Sequence, residues 1–480
     1  MSKDLTLDPS DWDAFRASAH EMLDASINQM MAAREGRVWT PLPEDQKQGF
    51  TGPLPREGRD VTNQMEALLP HGVGNTHPRF FGWVHGAGTP SNILADITAA
   101  AMNANLGGRD HGAIYVENQV VDWCREIFDF PADSSGLIVS GTSIATLIAL
   151  KAARDRITDF ESRKTGRPEK LVGYTSTQTH TCVARTFDIL GIGSDALRKI
   201  PVNAQFEIDC DALRTAIDED RKAGFTPFVI VGTAGAVNVG AIDDLDQLAS
   251  ISNDQDLWFH VDGAFGAPGM LSDLLRPKLK GLSKADSIAF DFHKWLHVNY
   301  DAGMILMRSE DTHRRTFSER PDYLKGADRG LAAGNPWPTE YGPELSRGFR
   351  ALKVWSQLAT HGTEKLGALI TRNCEQAQYL AKLVDETDGF ERLAPVPMQI
   401  CCFRFCPDDA PHDKIDLLND EIVMRLQEDG IAAPSTTLID GKNAIRVNIT
   451  NHRTTFEDLD LLVREINRIG RSIVSEWLET

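Results

Sequence analysis

Residues 227–262, PFVIVGTAGAVNVGAIDDLDQLASISNDQDLWFHVD, decide the fold. Two short apolar runs, PFVIVGT (227–233) and LWFHVD (257–262), flank a segment in which Leu245, Leu248 and Ala249 recur at helical spacing. Apolar runs without polar alternation, joined through a helix, predict two parallel strands buried on both faces, with the helix lying over the sheet. The same pattern continues outward. GLIVS (136–140) precedes a helix marked by Ile144, Leu147 and Ile148, and Leu213, Ala216 and Ile217 mark the helix before PFVIVGT. DSIAFD (286–291) and GMILMR (303–308) close the run. From about residue 115 to 310 the chain reads as α/β with a mostly parallel sheet, so ligands belong at the carboxyl ends of its strands.

The flanks read differently. Asp8, Pro9 and Asp11 suggest the cap, first-turn proline and N-terminal acid of a helix whose apolar face runs through Phe15, Ala19, Met22, Leu23 and Met30. Such an arm needs a surface to lie on. The proline-rich WTPLPEDQKQGFTGPLP (39–55) should run extended after it. Beyond about residue 345, LSRGFRALKVWSQLATHG and the stretch from Glu364 to Asp388 read as helices. MQICCFRF (398–405) and AIRVNIT (444–450) bracket a helix near 415–428. The last helix opens with Thr454 and Glu457 as a capping box and shows Leu459, Leu462, Val463 and Ile466 on one face. The expected division is an N-terminal helical arm and extended segment (1–85), a large domain (86–360) and a small α+β domain (361–480).

With 480 residues, a large domain with a smaller satellite is expected. A net charge of −19 disfavours nucleic acid and anionic lipid as partners and favours small-molecule chemistry. No apolar run approaches the roughly 20 residues of a membrane span. MSKDLTLDPSDWDAF has no signal-peptide or transit-peptide character, so a cytoplasmic location is expected. Seven cysteines without CxxC spacing argue against a disulfide framework and against a metal site. Cys401, Cys402 and Cys406 read as core packing in preference to redox groups.

Three strand ends carry chemistry. DSIAFDFHKW (286–295) delivers His293 and Lys294 to the carboxyl edge of the sheet. Burial disfavours an ammonium and frees the amine to attack a carbonyl, although alone such a lysine equally well snorkels to solvent. LWFHVDGAFGA (257–267) ends a strand in Asp262, followed by Gly263 and Ala264, which leave room for a flat ring. An aspartate there can keep a pyridine nitrogen protonated, or alternatively cap the next turn. LIVSGTSIATLIALKAARD (137–155) turns through Gly141, Thr142 and Ser143 into a helix beginning at Ser143 or Ile144, which makes a phosphate cup or an ordinary N-cap. Together they predict a pyridoxal 5'-phosphate (PLP) site with Lys294 as the Schiff-base lysine.

SGTSIATL (140–147), TQTHTCVART (177–186), HVDGAFGA (260–267), DFHKWLHVNYDAG (291–303) and NHRTTFEDLD (451–460) resemble the group II PLP-dependent amino-acid decarboxylases. These are the aromatic-L-amino-acid, histidine and glutamate decarboxylases. AHEMLDASINQMM (19–31), HPRFFGWVHGAGTPSNILAD (77–96) and ELSRGFRALKVW (344–355) stand in the same family order, so the resemblance covers nearly the whole chain. It implies the aspartate-aminotransferase-like type I PLP fold with a seven-stranded type of sheet, and a homodimer interlocked by the N-terminal arm. It also implies that Lys294 holds the cofactor, Asp262 partners the pyridine nitrogen, and Thr142, Ser143 and His293 contact the phosphate. Ala264 would lie beneath the ring and His180 would stack on its other face. The implied reaction is decarboxylation of an L-amino acid, aromatic favoured and acidic possible, to amine and CO2.

Several positions depart from the family pattern. Ala236 and Val237 stand where many members carry paired threonines, so hydroxyls near the cofactor are expected to be missing. The aromatic decarboxylases carry a proton-donating tyrosine in a mobile loop; alignment places Trp337 or Pro338 there, with Tyr341 several residues on. Loss of that tyrosine accompanies aldehyde synthesis in related enzymes, whereas retention of His180 favours plain decarboxylation. On the substrate side, Trp83 suits an aromatic side chain, while His85 and Gly86 make the wall more polar. Arg109 and His111 lie where they could reach a partner subunit's site, and Arg109 either pairs with an acidic substrate or forms an ion pair with Asp110 or Glu117. A transaminase or carbon–carbon lyase on the same fold, and a non-catalytic scaffold, are the alternatives.

Overall fold

The computed structural model describes residues 6–166, 169–319 and 326–479. Seven strands form the large sheet: β1 (Ser135–Val139), β2 (Leu171–Ser176), β3 (Leu197–Ile200), β4 (Thr226–Thr233), β5 (Trp258–Asp262), β6 (Ser287–Asp291) and β7 (Gly303–Met307), in the order β1-β7-β6-β5-β4-β2-β3. Strands β2 to β6 pair in parallel, and β7 runs antiparallel to both β6 and β1. Every residue of β5, β6 and β7 is buried, which is why these runs read as continuously apolar. The helix Leu245–Asp254 makes the crossover between β4 and β5, and Thr233 pairs with Asp262, so the two strands finish side by side.

Strands β2 and β3 were not among the runs read from the sequence. β3 is the edge strand, and its Arg198 and Lys199 break any apolar run. Charges of this kind protect a sheet edge from pairing with another chain. Their presence hides the strand from a hydrophobicity reading.

Three helix starts shift. The first helix, Trp12–Met31, is capped by Asp11, whose carboxylate accepts from Asp13 N and Ala14 N, so Asp8 and Pro9 lie before it. The helix Thr142–Ile157 begins at Thr142, one residue earlier than expected, with Gly141 as its extended N-cap. The last helix, Phe456–Leu478, is boxed by Thr455 and Asp458 because the Thr454 hydroxyl donates to Pro78 O at 2.6 Å. The segment 39–55 is mostly irregular, as its prolines require, apart from the single short helix Glu44–Gln48.

The second sheet is antiparallel, with β8 (Phe390–Arg392), β9 (Ile400–Phe405), β10 (Ser435–Ile439) and β11 (Lys442–Asn448) in the order β10-β11-β9-β8. The helices Thr363–Glu386, Ile415–Glu428 and Phe456–Leu478 contribute to its core with Leu380, Ile422 and Leu462 against Phe403 and Phe405. Cys401 and Cys402 are buried in β9 and all seven cysteines are free. Burial pushes the Cys402 thiol up to about 12, which suits packing and not reactivity. An N-terminal segment joins this sheet: Phe81 N donates to Ala433 O and Asn448 N to Phe81 O, each at 2.9 Å. That anchorage aims residues 83–89 across the strand ends of the large sheet. Among the described residues no helix is long and apolar enough to cross a membrane.

Candidate active site

A cavity of about 360 Å³ opens at the carboxyl ends of β4, β5 and β6. It brings together Lys294, His293, Asp262, Ala264 and His180 with the Gly141–Ser143 turn, and Trp83 and Val84 close one side. A larger recess of about 800 Å³ lies elsewhere, beside the stacked Trp123 and Trp355 rings, but it holds no lysine and no strand-end histidine. Chemistry, not volume, selects the smaller one.

Lys294 follows β6 by three residues, and its Nζ lies 2.9 Å from Asp291 Oδ2. Asp262 ends β5 with its carboxylate buried; Oδ1 accepts from Ala264 N at 3.2 Å, and Cys182 Sγ lies 4.0 Å from Oδ2. Burial pushes this carboxyl above the usual range, while Lys294 and His180 pull the other way. His180 caps the helix Thr181–Ile189, and its Nδ1 accepts from Cys182 N at 3.2 Å. Burial lowers its pKa. The imidazole is therefore neutral near pH 7 and carries its proton on Nε2. His293 is held in the same way, Nδ1 accepting from Ala302 N at 3.1 Å with its pKa also lowered by burial.

At the cup end, the buried Thr142 Oγ1 has no hydrogen-bond partner among the described residues. Thr233 Oγ1, at the end of β4, is buried and unpartnered likewise, and Thr233 lines the cavity. Val237 reaches the wall without a hydroxyl, whereas Thr233 brings one to the cavity where hydroxyls were expected to be missing. Its position is a matter of register: the threonine is the strand's last residue, not part of the loop.

The wall opposite is built from distant segments. Gly86 N donates to His293 O at 3.1 Å, and a Cβ at Gly86 would stand 2.4 Å from that oxygen and 2.5 Å from Lys294 O. Trp83 has φ +49, a conformation unfavourable for a bulky side chain. Its carbonyl accepts from Arg446 Nη1 at 2.9 Å, and Arg446 Nε also donates to Val237 O at 2.9 Å. Arg446 is 4% exposed, and burial pushes its pKa down to about 10. One guanidinium of β11 thus holds two walls of the cavity. Trp83, His85, Tyr300 and His293 form a row of rings, with successive centroids 6.1, 5.8 and 4.4 Å apart; Trp83 and His293 line the cavity, whereas Tyr300 and His85, which was expected there, stand outside its lining.

The sequence did not single out Asp291, Thr233, Arg446 or Tyr300. Asp291 ends its strand as Asp262 does, a signal that was present; Arg446 carried none. Of the residues expected here, Arg109 is not in the cavity lining: it lies over the Trp337 ring, 4.4 Å from its centroid. Glu117, one of its proposed ion-pair partners, takes Arg347 at 2.5 Å, and Asp110 accepts from Tyr115 Oη at 2.7 Å. His111 caps the helix Gly112–Ile127 from outside the cavity. Trp337 and Pro338 are buried away from the cavity lining, and the Tyr341 hydroxyl donates to Glu310 at 2.6 Å.

Residues 43–406 match the family described as "Pyridoxal-dependent decarboxylase conserved domain". The aromatic-L-amino-acid decarboxylase of Bacillus atrophaeus is 31% identical over 484 residues, covering 98% of each chain. The 4-hydroxyphenylacetaldehyde synthase of Rhodiola rosea is 28% identical, covering 89% of this chain and 90% of its own. The crystal structure of Oryza sativa TDC with PLP and tryptamine superposes with a TM-score of 0.88 at 23% identity, over 98% of this chain and all of that one, a likeness of fold. The cavity suits PLP on its own terms. A buried carboxylate, with the unpartnered Thr233 hydroxyl on the adjacent strand end, stands at one end, the unpartnered Thr142 hydroxyl and a helix N-terminus stand at the other, and a lysine lines the same cavity.

Proposed function

The chain belongs to the pyridoxal-dependent decarboxylase family, a group of PLP-dependent carboxy-lyases, and we propose that it converts an aromatic L-amino acid to its amine and CO2 with Lys294 as the cofactor-bearing residue. The observation that carries the proposal is the convergence of Lys294, Asp262 and His180 on one cavity. When bound, PLP supplies an electron sink for the bond between Cα and the carboxylate. Lys294 would hold it covalently, Asp262 would face the pyridine nitrogen, and Thr142, Ser143 and His293 would take the phosphate, with Ala264 leaving space for the ring.

The residues' own contributions follow from their surroundings. Asp262, when ionised in its buried place, favours a proton on any basic nitrogen brought against it. His180, neutral with its proton on Nε2, can donate to a substrate oxygen or exchange a proton near Cα without introducing a second positive charge. Trp83 and His293, the two members of the ring row that line the cavity, offer a flat aromatic side chain stacking area and a polar edge. An acidic side chain finds less support, because Arg109, its expected partner, is stacked on Trp337. A homodimer is part of the proposal.

Relatives of two kinds match, an amino-acid decarboxylase and an aldehyde synthase. Trp337 and Pro338 carry no acidic hydroxyl, and Tyr341 is committed to Glu310. A further tyrosine stands between Asp301 and Trp337, Tyr323 in RPDYLKG (320–326), and it lies outside the described residues. The test incubates PLP-loaded protein in air with aromatic, acidic and basic amino acids, followed by mass spectrometry and a peroxide assay. Amine without peroxide from an aromatic substrate is expected, with Tyr323→Phe diverting product toward aldehyde. Aldehyde with peroxide from the unaltered protein would reverse the assignment, and turnover by Lys294→Ala would remove Lys294 from it.

A further inference from the structure

Asp291, the last residue of β6, is 2% exposed and has both oxygens engaged. Oδ1 accepts from Thr142 N at 2.7 Å, the first N–H of the cup helix. Oδ2 lies 2.9 Å from Lys294 Nζ and 3.7 Å from His293 Nε2. Its field also reaches His180, Asp262 and Cys182 at the neighbouring strand ends and Tyr300 in the following loop.

By charge, a carboxylate is a poor choice at this place. It repels a phosphate and occupies one of the few free N–H groups that a helix N-terminus offers. An asparagine would fit the same space and repel nothing. A buried anion persists where a cation compensates it, and the cation within reach is Lys294.

We propose that Asp291 is the positioning residue of Lys294, its counter-ion whenever the lysine nitrogen is protonated. The proposal rests on Lys294 being the attachment residue. With Oδ1 tied to the backbone of the cup helix, the carboxylate cannot swing away, so Oδ2 fixes where the lysine nitrogen stands. Were the substrate amine to replace Lys294 on the bound cofactor, one carbon–nitrogen bond forming as the other breaks, the protonated lysine nitrogen would take the two protons that the substrate ammonium group gives up and be set free as an ammonium. The ammonium thus produced stands against Asp291 and is retained beside the reacting carbon until the reverse exchange releases the amine. Other groups facing the pair are His293, His180, Asp262, Cys182 and Tyr300, with His85 acting on Lys294 from the N-terminal segment and Asp301 on His293 from the loop.

The test uses PLP-loaded Asp291→Asn and Asp291→Glu, titrating the visible absorbance of the lysine-bound cofactor against pH. Loss of a carboxylate this close lowers the proton affinity of the lysine nitrogen, so the Asn variant's midpoint falls by about one to three pH units. The Glu variant keeps the charge and stays near the unaltered protein. A merely structural role would reduce loading in both variants without moving either midpoint, and an unmoved midpoint in loaded Asp291→Asn overturns the proposal. Should that variant take up no cofactor, reductive methylation of Lys294 with formaldehyde, followed by peptide mass against pH, reads the same affinity. Labelling that begins at the unaltered protein's pH overturns it there too. No visible band in the unaltered protein would instead sink the assignment of Lys294.

Discussion

Gly86 is a residue at which the site tolerates little. Its backbone lies directly on the carbonyls of His293 and Lys294, and a methyl group there must push the wall and the lysine turn apart. Gly86→Ala should fold, because the contact is local, but with the lysine displaced. Misplacing a reacting group by up to an ångström costs on the order of tenfold to a hundredfold in rate. A loss of that size in kcat/KM is expected, together with weaker PLP uptake; unchanged loading and turnover would show that the wall yields freely. From the sequence this glycine registered only as a missing apolar side chain. Lys294, Asp262 and Thr142 were legible because each adjoins its own strand end, so local pattern was enough to place them. Asp291 acquires its meaning from Thr142, 149 residues earlier in the chain, and no local pattern expresses that.

Among the elements, the first helix raises the plainest question. None of its residues is buried, and Trp12, Phe15, Ile27 and Met31 are exposed over 20 residues of helix. A helix this apolar gains little by itself in water, since helical stability comes mainly from packing of a face. The proposed homodimer gives it that face. Light scattering should return twice the chain mass for the full protein and a lower mass for a chain beginning after Met31; a full-length monomer would refute the arm's role. The buried strands β1, β4, β5, β6 and β7 of the large sheet were legible as apolar runs, whereas β2, LVGYTS, is buried throughout but was missed because Gly173, Thr175 and Ser176 interrupt its run. The charged edge strand β3 was not, because protection of an edge and a hydrophobic signature exclude each other.

Across the whole molecule, several histidines are buried in the neutral form. His313 bridges Ser135 Oγ at 2.8 Å and Tyr341 O at 2.6 Å, and His260 Nδ1 meets Ser287 Oγ at 2.9 Å. Burial pushes both down to about 3 from the ordinary 6.5. Above pH 6.5 neither the folded nor the unfolded chain binds these protons; below it only the unfolded chain does. Stability is therefore fully present above about 6.5 and is lost as pH falls toward 3, each histidine contributing about 2 kcal/mol of loss by pH 5. Urea denaturation at pH 7 and pH 5 should show a clearly lower midpoint at the acidic value, and equal midpoints would contradict the neutral burial of these rings.

The guanidinium of Arg446 has a consequence for biosynthesis. It holds the carbonyl of Trp83 from 363 positions later in the chain. A nascent polypeptide has completed the strands bearing Asp262 and Lys294 long before the ribosome reaches β11. Until then the carbonyl of Trp83, in a backbone conformation unfavourable for tryptophan, lacks the guanidinium that holds it. Competence to recognise an amino acid thus arrives with the C-terminal end of the chain, and a truncated translation product is left with the reactive lysine but without the walls that would select what reaches it.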